Sequence, residues 1–441
     1  MEVNIMPREL YPLLMFAVLF VLLTLGVPIA FSLAAVAIVF SYTLWGVGAI
    51  NILISAAWGS MNNFVIVAVP LFIYMAYILQ KTNVVDDLYE SIFKWSGGLR
   101  GGLAIATVIV GAVLGAVSGV VAAGVIGLGL IGLPQMLKHK YNKKMSLGCV
   151  MAAGTLGQLI PPSTNMVLYG CVTGVSIGGL FAGGMTAGIF LAGLYISYIV
   201  IRGLIDPAFC PALPIDERAT WKEKLISLRK VFLPAALIVT VLGSILKGVA
   251  SPTEAAAFGA GGALLIGLVK RRLTWDIVFS SCYETLAVTA MVGWMMIGAG
   301  AFGSVFSGLG GNALVTNIAM NMPGGANMVF FVSAAFIFFL GMFLEPGAII
   351  FLAVPIIAPI LARLGFDPLF VGLAFNVILQ TAYMSPPFGF SLFYLHGCAP
   401  PGISIMDIYK ASVPFLIMQI ICVTMIFIFP QIVLWLPNYL K

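Results

Sequence analysis

The chain has 441 residues, of which 61% are hydrophobic and 8% charged, with a formal net charge of +6. A soluble domain carries roughly 25% charged residues, so this composition excludes one and describes a polytopic membrane protein. The positive balance is a topological signal, not a nucleic-acid footprint, because no basic binding face gathers it.

Residues 10–80, 101–137, 145–201, 285–344 and 411–440 are free of charge, and about 20 apolar residues suffice for one span. A first span retained in the mature chain is expected, because the short charged N-terminus leads into a long apolar run with no clear small-residue cleavage site. Residues 10–45 exceed one untilted span, and Gly26-Val27-Pro28 divides them in two. Residues 50–59 are expected along the interface and 62–80 as a third span. Over 84–95, Val85, Leu88, Ile92 and Trp95 alternate with Asp86, Asp87, Glu90 and Lys94. That is the pattern of an amphipathic helix at the membrane surface. Residues 101–137 read as a re-entrant hairpin with its tip near Ser118-Gly119; a small-residue helix-packing face is the alternative.

The basic run 138–144 belongs in the cytoplasm by the positive-inside bias. A broken span follows over about 145–173, and another returns to Arg202. Residues 202–230, including a charged helix-like stretch from Asp216, form a cytoplasmic linker between two halves. In the second half, 231–246 and 252–269 form a pair of spans, and Lys270-Arg271-Arg272 brings the chain back to the cytoplasm. Residues 273–281 are expected as a surface helix, 284–307 as a span, and 328–361 as a second hairpin with its tip at Phe343 to Gly347. A second broken span occupies about 370–395, and a last span 413–434.

Both breaks are written in the sequence. Pro161-Pro162 and Pro386-Pro387 each lie in an uncharged apolar run. Adjacent prolines remove two backbone donors and clash with the preceding turn. In hydrocarbon the freed backbone groups are tolerated only where protein, water or an ion satisfies them. Ser118 and Pro161 lie 43 positions apart and Glu345 and Pro386 lie 41; Pro28 to Pro161 is 133 and Pro252 to Pro386 is 134. The expected fold class is an all-α polytopic membrane protein of two inverted-topology repeats, 1–230 and 231–441. It has about ten transmembrane helices plus two re-entrant hairpins, and both termini outside.

Glu345 is the only charged residue between Glu284 and Arg363. An intramembrane acid is a functional candidate by default, as cation ligand or proton carrier, and helix capping is the plainer role. Glu254 in Ser251-Pro252-Thr253-Glu254 reads as an N-terminal cap. Gln158, Asn165 and Gln380 can hydrogen-bond a solute carboxylate or satisfy freed backbone. Tyr169, Tyr383 and Tyr394 read as packing aromatics, His139 and His396 as isolated, and the six cysteines as small core hydrophobes.

Taken in order, the phrase 154–170, Ala116-Val117-Ser118-Gly119, Ser251-Pro252-Thr253-Glu254-Ala255, the run 340–345 and Ser385-Pro386-Pro387-Phe388-Gly389 resemble the large membrane subunit of tripartite ATP-independent periplasmic (TRAP) transporters. The resemblance covers essentially the whole chain. It implies a sodium-coupled elevator carrier of the bacterial inner membrane, with scaffold and transport parts interleaved across both repeats. It implies a small four-span membrane subunit and a periplasmic solute-binding protein as partners, and an organic acid anion as the solute.

Carried over by position, the resemblance puts sodium at Ser118, Gly119, Gly154, Thr155 and Pro161, and at Glu345, Pro346, Gly347, Gln380, Thr381 and Ser385. It puts solute contacts at Val120, Gln158, Ser163, Asn165 and Pro387, with Val120 standing where many relatives have a second Ser. A hard monovalent cation needs several oxygens, and unwound carbonyls supply them without burying many carboxylates. The alternatives are a stand-alone ion-coupled dicarboxylate carrier and, remotely, an intramembrane enzyme. The chain has no His-Glu-x-x-His, Gly-x-Ser-x-Gly or phosphate-loop motif.

Overall fold

A computed structural model describes residues 7, 10–118 and 121–440, and within these all regular structure is helical. The tip positions Gly119 and Val120, and the side chain of Ser118, lie outside the described part. Two short apolar helices open the chain, α1 (Leu10–Thr24) and α2 (Ile29–Trp45), parted at Gly26-Val27-Pro28 as expected. Gly26 takes a φ of 82°, which only glycine adopts freely. Next come α3 (Ile50–Met61) and α4 (Ala68–Lys81), the latter entered through a 3-10 turn whose N-cap is the Asn63 side chain. The surface helix α5 (Val84–Ser96) then turns Val84, Asp87, Leu88 and Ser91 inward.

Helices α6 (Gly102–Ser118) and α7 (Val121–Lys138) run out and back. Their open ends close on each other, because the Leu103 amide donates to the Tyr141 hydroxyl at 3.2 Å just beyond α7. The first broken span consists of α8 (Lys143–Thr155), a 3-10 turn and α9 (Thr164–Thr173). The long α10 (Ile177–Ile205) follows.

Here the chain departs from expectation. The stretch from Asp216 and the span beginning at 231 are not separate: α11 (Trp221–Leu246) is one helix. A reciprocal cap between Thr220 and Glu223 starts it early, and nothing between forces a stop. After α12 (Pro252–Val269), the expected surface helix 273–281 and span 284–307 merge in the same way into α13 (Trp275–Gly308), 34 residues long. At 1.5 Å per residue that is roughly 50 Å, more than a bilayer core of about 30 Å. Glu284 does not interrupt it, because Lys81 of α4 reaches its carboxylate at 2.8 Å.

An unanticipated short helix, α14 (Gly311–Met320), precedes the second hairpin, whose arms are α15 (Gly325–Phe343) and the pair α16 (Pro346–Leu352) and α17 (Val354–Arg363). That pair bends by 58° at its break. The second broken span is α18 (Pro368–Tyr383) and α19 (Phe390–Cys398). The expected last span 413–434 begins earlier, as α20 (Ile405–Ile428), and stops before Pro430, after which α21 (Gln431–Leu440) completes the chain. Among the described residues eight helices are long and apolar enough to cross a membrane, or nine with the bent pair. The count of about ten is not met by unbroken helices, because α1, α2 and the arms of both broken spans fall short of the length.

All three basic stretches gather at one end around α5. Asp87 holds Lys270 at 2.7 Å and Arg272 at 2.9 Å. Glu90 holds Lys230 at 2.7 Å, and the Phe93 ring meets His139 at a tilt of 57°. His139 is not isolated, since its Nε2 meets Glu217 at 2.7 Å. The two broken spans run in opposite directions across this frame. Lys143, at the start of α8, donates to the Gly402 carbonyl beyond the end of α19. At the far end, Thr173 closing α9 lines the same basin as Asp367 opening α18, together with Pro437 of α21.

Candidate functional site

The first hairpin meets the first break backbone to backbone. A Cβ placed on Gly115 would lie 2.3 Å from the Gly157 Cα, and one on Gly124 would lie 2.7 Å from the Gly154 carbonyl oxygen. Small residues in these helices therefore let two polar backbones touch where lipid could not satisfy either. The second hairpin docks through side chains instead: a Cβ on Gly341 would lie 2.5 Å from the Ala382 methyl, and Phe343 meets Phe388 at 5.3 Å between ring centroids. Both prolyl pairs, Pro161-Pro162 and Pro386-Pro387, have cis peptide bonds.

Around the first break, Ser163 donates to the Gln158 carbonyl at 2.6 Å. Thr155 donates to the Ala152 carbonyl at 2.9 Å and accepts from the Gln380 side-chain amide at 3.3 Å. That last bond joins the two broken spans directly. Around the second break, Thr381 and Ser385 donate to carbonyls one turn back, at 2.9 and 3.0 Å. Ser391 bonds the Tyr383 carbonyl at 2.7 Å, and Tyr409 the Pro387 carbonyl at 2.6 Å. These hydroxyls take up the carbonyls that the breaks set free. The amide oxygens of Gln158 and Gln380 remain buried without a partner, as does that of Gln419 on α20. The hydroxyl of Tyr195 on α10 faces Gln419, Gln380 and Thr155.

A cavity of about 80 Å³ lies where these parts meet. Val121 and Ala122 enter it from the first hairpin; Gln158, Thr164 and Asn165 from the first break. Glu345 and Gly347 come from the tip of the second hairpin, and Tyr383 and Tyr394 from either side of the second break. Val69 and Ile73 of α4 and Val288, Val292 and Met295 of α13 form the apolar wall. Of the residues singled out in the sequence, the cavity brings together Gln158, Asn165, Glu345 and Gly347. Gly154, Thr155, Pro161, Ser163, Pro346, Gln380, Thr381 and Ser385 are buried behind it and do not line it. Pro387 is exposed and outside it.

Glu345 occupies the N-cap position of α16, yet its side chain makes no capping bond. By contrast Ser251 and Glu254 form the reciprocal cap read from sequence, with bonds of 2.8 and 3.3 Å. Tyr383 and Tyr394 line the cavity and not only helix contacts, while Tyr169 is packed on Gly372. The α4 and α13 walls had no sequence signal, since an apolar lining residue looks like any lipid-facing one. Gln419, a lone amide in an apolar helix, offered a signal of the same kind as Gln380.

Residues 16–432 match the model of the family described as "Tripartite ATP-independent periplasmic transporter, DctM component". The chain belongs to this family. Among curated relatives of this TRAP large permease, it is 32% identical to the ectoine/5-hydroxyectoine TRAP transporter large permease protein UehC of Ruegeria pomeroyi, over 96% of this chain and 98% of that one. It is 29% identical to the ectoine TRAP transporter large permease protein TeaC of Halomonas elongata, again over 96% and 98%. Among solved structures, that of the Neisseria gonorrhoeae transporter MtrF aligns with a TM-score of 0.62 at 13% identity, over 98% of this chain and 96% of that one, a likeness of fold. The chain is thus a transporter permease of the bacterial inner membrane and not an enzyme.

Proposed function

We propose that this permease carries an organic acid into the cell with sodium as coupling ion, in a complex with a small membrane subunit and a periplasmic binding protein that delivers the solute. The observation that carries the reading is one cavity lined by residues of both hairpins and both broken spans. Relatives are named for ectoine, sialic acid and C4-dicarboxylates, which supports an organic acid without choosing among them. No Lys or Arg lies within residues 145–173 or 370–395. An anion there is held by the positive ends of half-helices and by co-bound sodium.

The sodium ions are assigned to the oxygens of the breaks and tips. Gly154, Thr155 and Pro161 are assigned to one site with Ser118 and Gly119; Gln380, Thr381 and Ser385 are assigned to the other with the backbone carbonyls of Glu345, Pro346 and Gly347, which leaves the Glu345 carboxylate to the solute. The unpartnered oxygen of Gln380 supports this, because a neutral carbonyl-type oxygen suits a monovalent cation. Two inverted repeats, 1–230 and 231–441, account for the opposed directions of the broken spans. The hairpins and broken spans would move together as an elevator against the remaining helices.

The test is uptake into proteoliposomes. With the small subunit and the loaded binding protein, solute should enter only under a sodium gradient. Uptake by this chain alone would favour a stand-alone carrier, and sodium-independent uptake would reject the coupling.

A further inference from the structure

Resting on the organic-acid reading, we propose that the solute carries a cationic group besides its carboxylate, and that Glu345 selects for it. Among the described residues Glu345 is the only charged group on the cavity, and no Lys, Arg or His lines it. Its carboxylate is not spent on the helix it starts, since it makes no capping bond to α16. Nor is it paired with a cation, since it forms no ion pair among the described residues. An unpaired acid in an otherwise uncharged apolar stretch is a functional candidate by default.

The rest of the cavity says what kind of partner fits. Tyr383 and Tyr394 share it with Glu345, and phenol rings attract ammonium, guanidinium or amidinium groups through their faces. The same cavity is lined by Asn165 at the start of α9. There the Ser163 hydroxyl turns back to the Gln158 carbonyl instead of capping α9, so the positive end of a ten-residue helix addresses the same space. One small cavity therefore combines a carboxylate and two phenols with amide side chains and a helix N-terminus. A zwitterion satisfies both sets, whereas a dicarboxylate sets its second charge against Glu345. At about 80 Å³ the cavity takes the cationic end and not a whole solute, so the remainder extends beyond it.

The experiment is thermal unfolding of the purified full chain in lipid nanodiscs, in sodium and in potassium, with probes matched in length and differing in charge. The pairs are 4-aminobutyrate against glutarate and 4-guanidinobutyrate against adipate. In sodium, the cation-bearing member of each pair should stabilise the chain at a concentration at least tenfold lower than its partner. Glu345→Gln should abolish that preference and Glu345→Asp should retain it. Equal or better stabilisation by the dicarboxylates, no stabilisation by any probe, or an unchanged preference in Glu345→Gln overturns the proposal. The wild-type ranking decides even if a variant fails to fold. Stabilisation by sodium over potassium without any probe reports on the coupling ion. A chain that responds to sodium yet prefers glutarate rejects the cationic solute and leaves sodium coupling standing. Loss of the sodium response in Glu345→Gln assigns the carboxylate to the ion and also overturns the proposal.

Discussion

The two breaks are made from the same phrase, yet they are held differently. At the first, Pro161, Pro162 and Ser163 are buried, and the turn is clamped between the glycines of the first hairpin and those of α10, where Gly184 faces the Leu159 carbonyl. At the second, Pro387 is exposed and Phe388 keeps 50% of its surface accessible, touching the second hairpin through Phe343. Backbone packed on backbone cannot yield without losing buried polar contacts, whereas a pair of aromatic rings can slide. The difference makes the first break the rigidly packed half of the site and the second the more accessible half.

The largest effect should come from forcing the rigid half apart. A side chain on Gly157 must displace the Cα of Gly115, 2.8 Å from its Cβ. Overpacking of that kind costs about 1–3 kcal/mol even where neighbours can shift. Gly157→Val should therefore leave little folded chain by size-exclusion profile. Gly341→Ala in the second hairpin sets its methyl 2.5 Å from the Ala382 Cβ, so it should destabilise alone and recover with Ala382→Gly, a relief by side-chain truncation that Gly157→Val, opposed by backbone, does not have.

Next in size is accessibility. In a background with the native cysteines replaced, Phe388→Cys should react with a membrane-impermeant maleimide at least tenfold faster than Ser163→Cys. Equal rates would erase the contrast between the breaks. Smaller again are single hydrogen bonds. Thr155→Val leaves the Gln380 amide without its acceptor at 3.3 Å and should destabilise by about 1–3 kcal/mol. Ser385→Ala frees only a carbonyl that keeps its helical neighbours and should cost no more than about 1 kcal/mol. Thermal unfolding in nanodiscs compares the two.

Much of this architecture was legible because prolines, glycines and charges act locally. Pro161-Pro162 and Pro386-Pro387 located both breaks, and Ser251 with Glu254 located a helix start to the residue. Helix ends were illegible where a charge found a distant partner. Glu284 looked like a boundary until Lys81 was brought to it from about two hundred positions away. The site was half legible. Gln158, Asn165 and Glu345 stand out as polar groups in apolar runs, whereas Val69, Val288 and Met295 become lining residues only once α4 and α13 close over the breaks.

The smallest effect serves as a control far from both breaks. Lys230 and Lys94 hold the Glu90 carboxyl on α5 down to about 2. An unfolded Glu titrates near 4.3, so this group stabilises the fold fully above that value and loses its contribution as the pH falls towards 2. Glu90→Gln should flatten the acid limb of the stability profile and leave the labelling contrast between the breaks unchanged.

The central claim is that two hairpin tips and two helix breaks form one ion-coupled site. Its most direct measurement is solute uptake into proteoliposomes holding the permease with its small subunit and binding protein, comparing an inward sodium gradient with an equal potassium gradient. Uptake above the equilibrium level in sodium alone, abolished together with the sodium response by Thr155→Val with Ser385→Ala, is the predicted result. Equal uptake in potassium would contradict it.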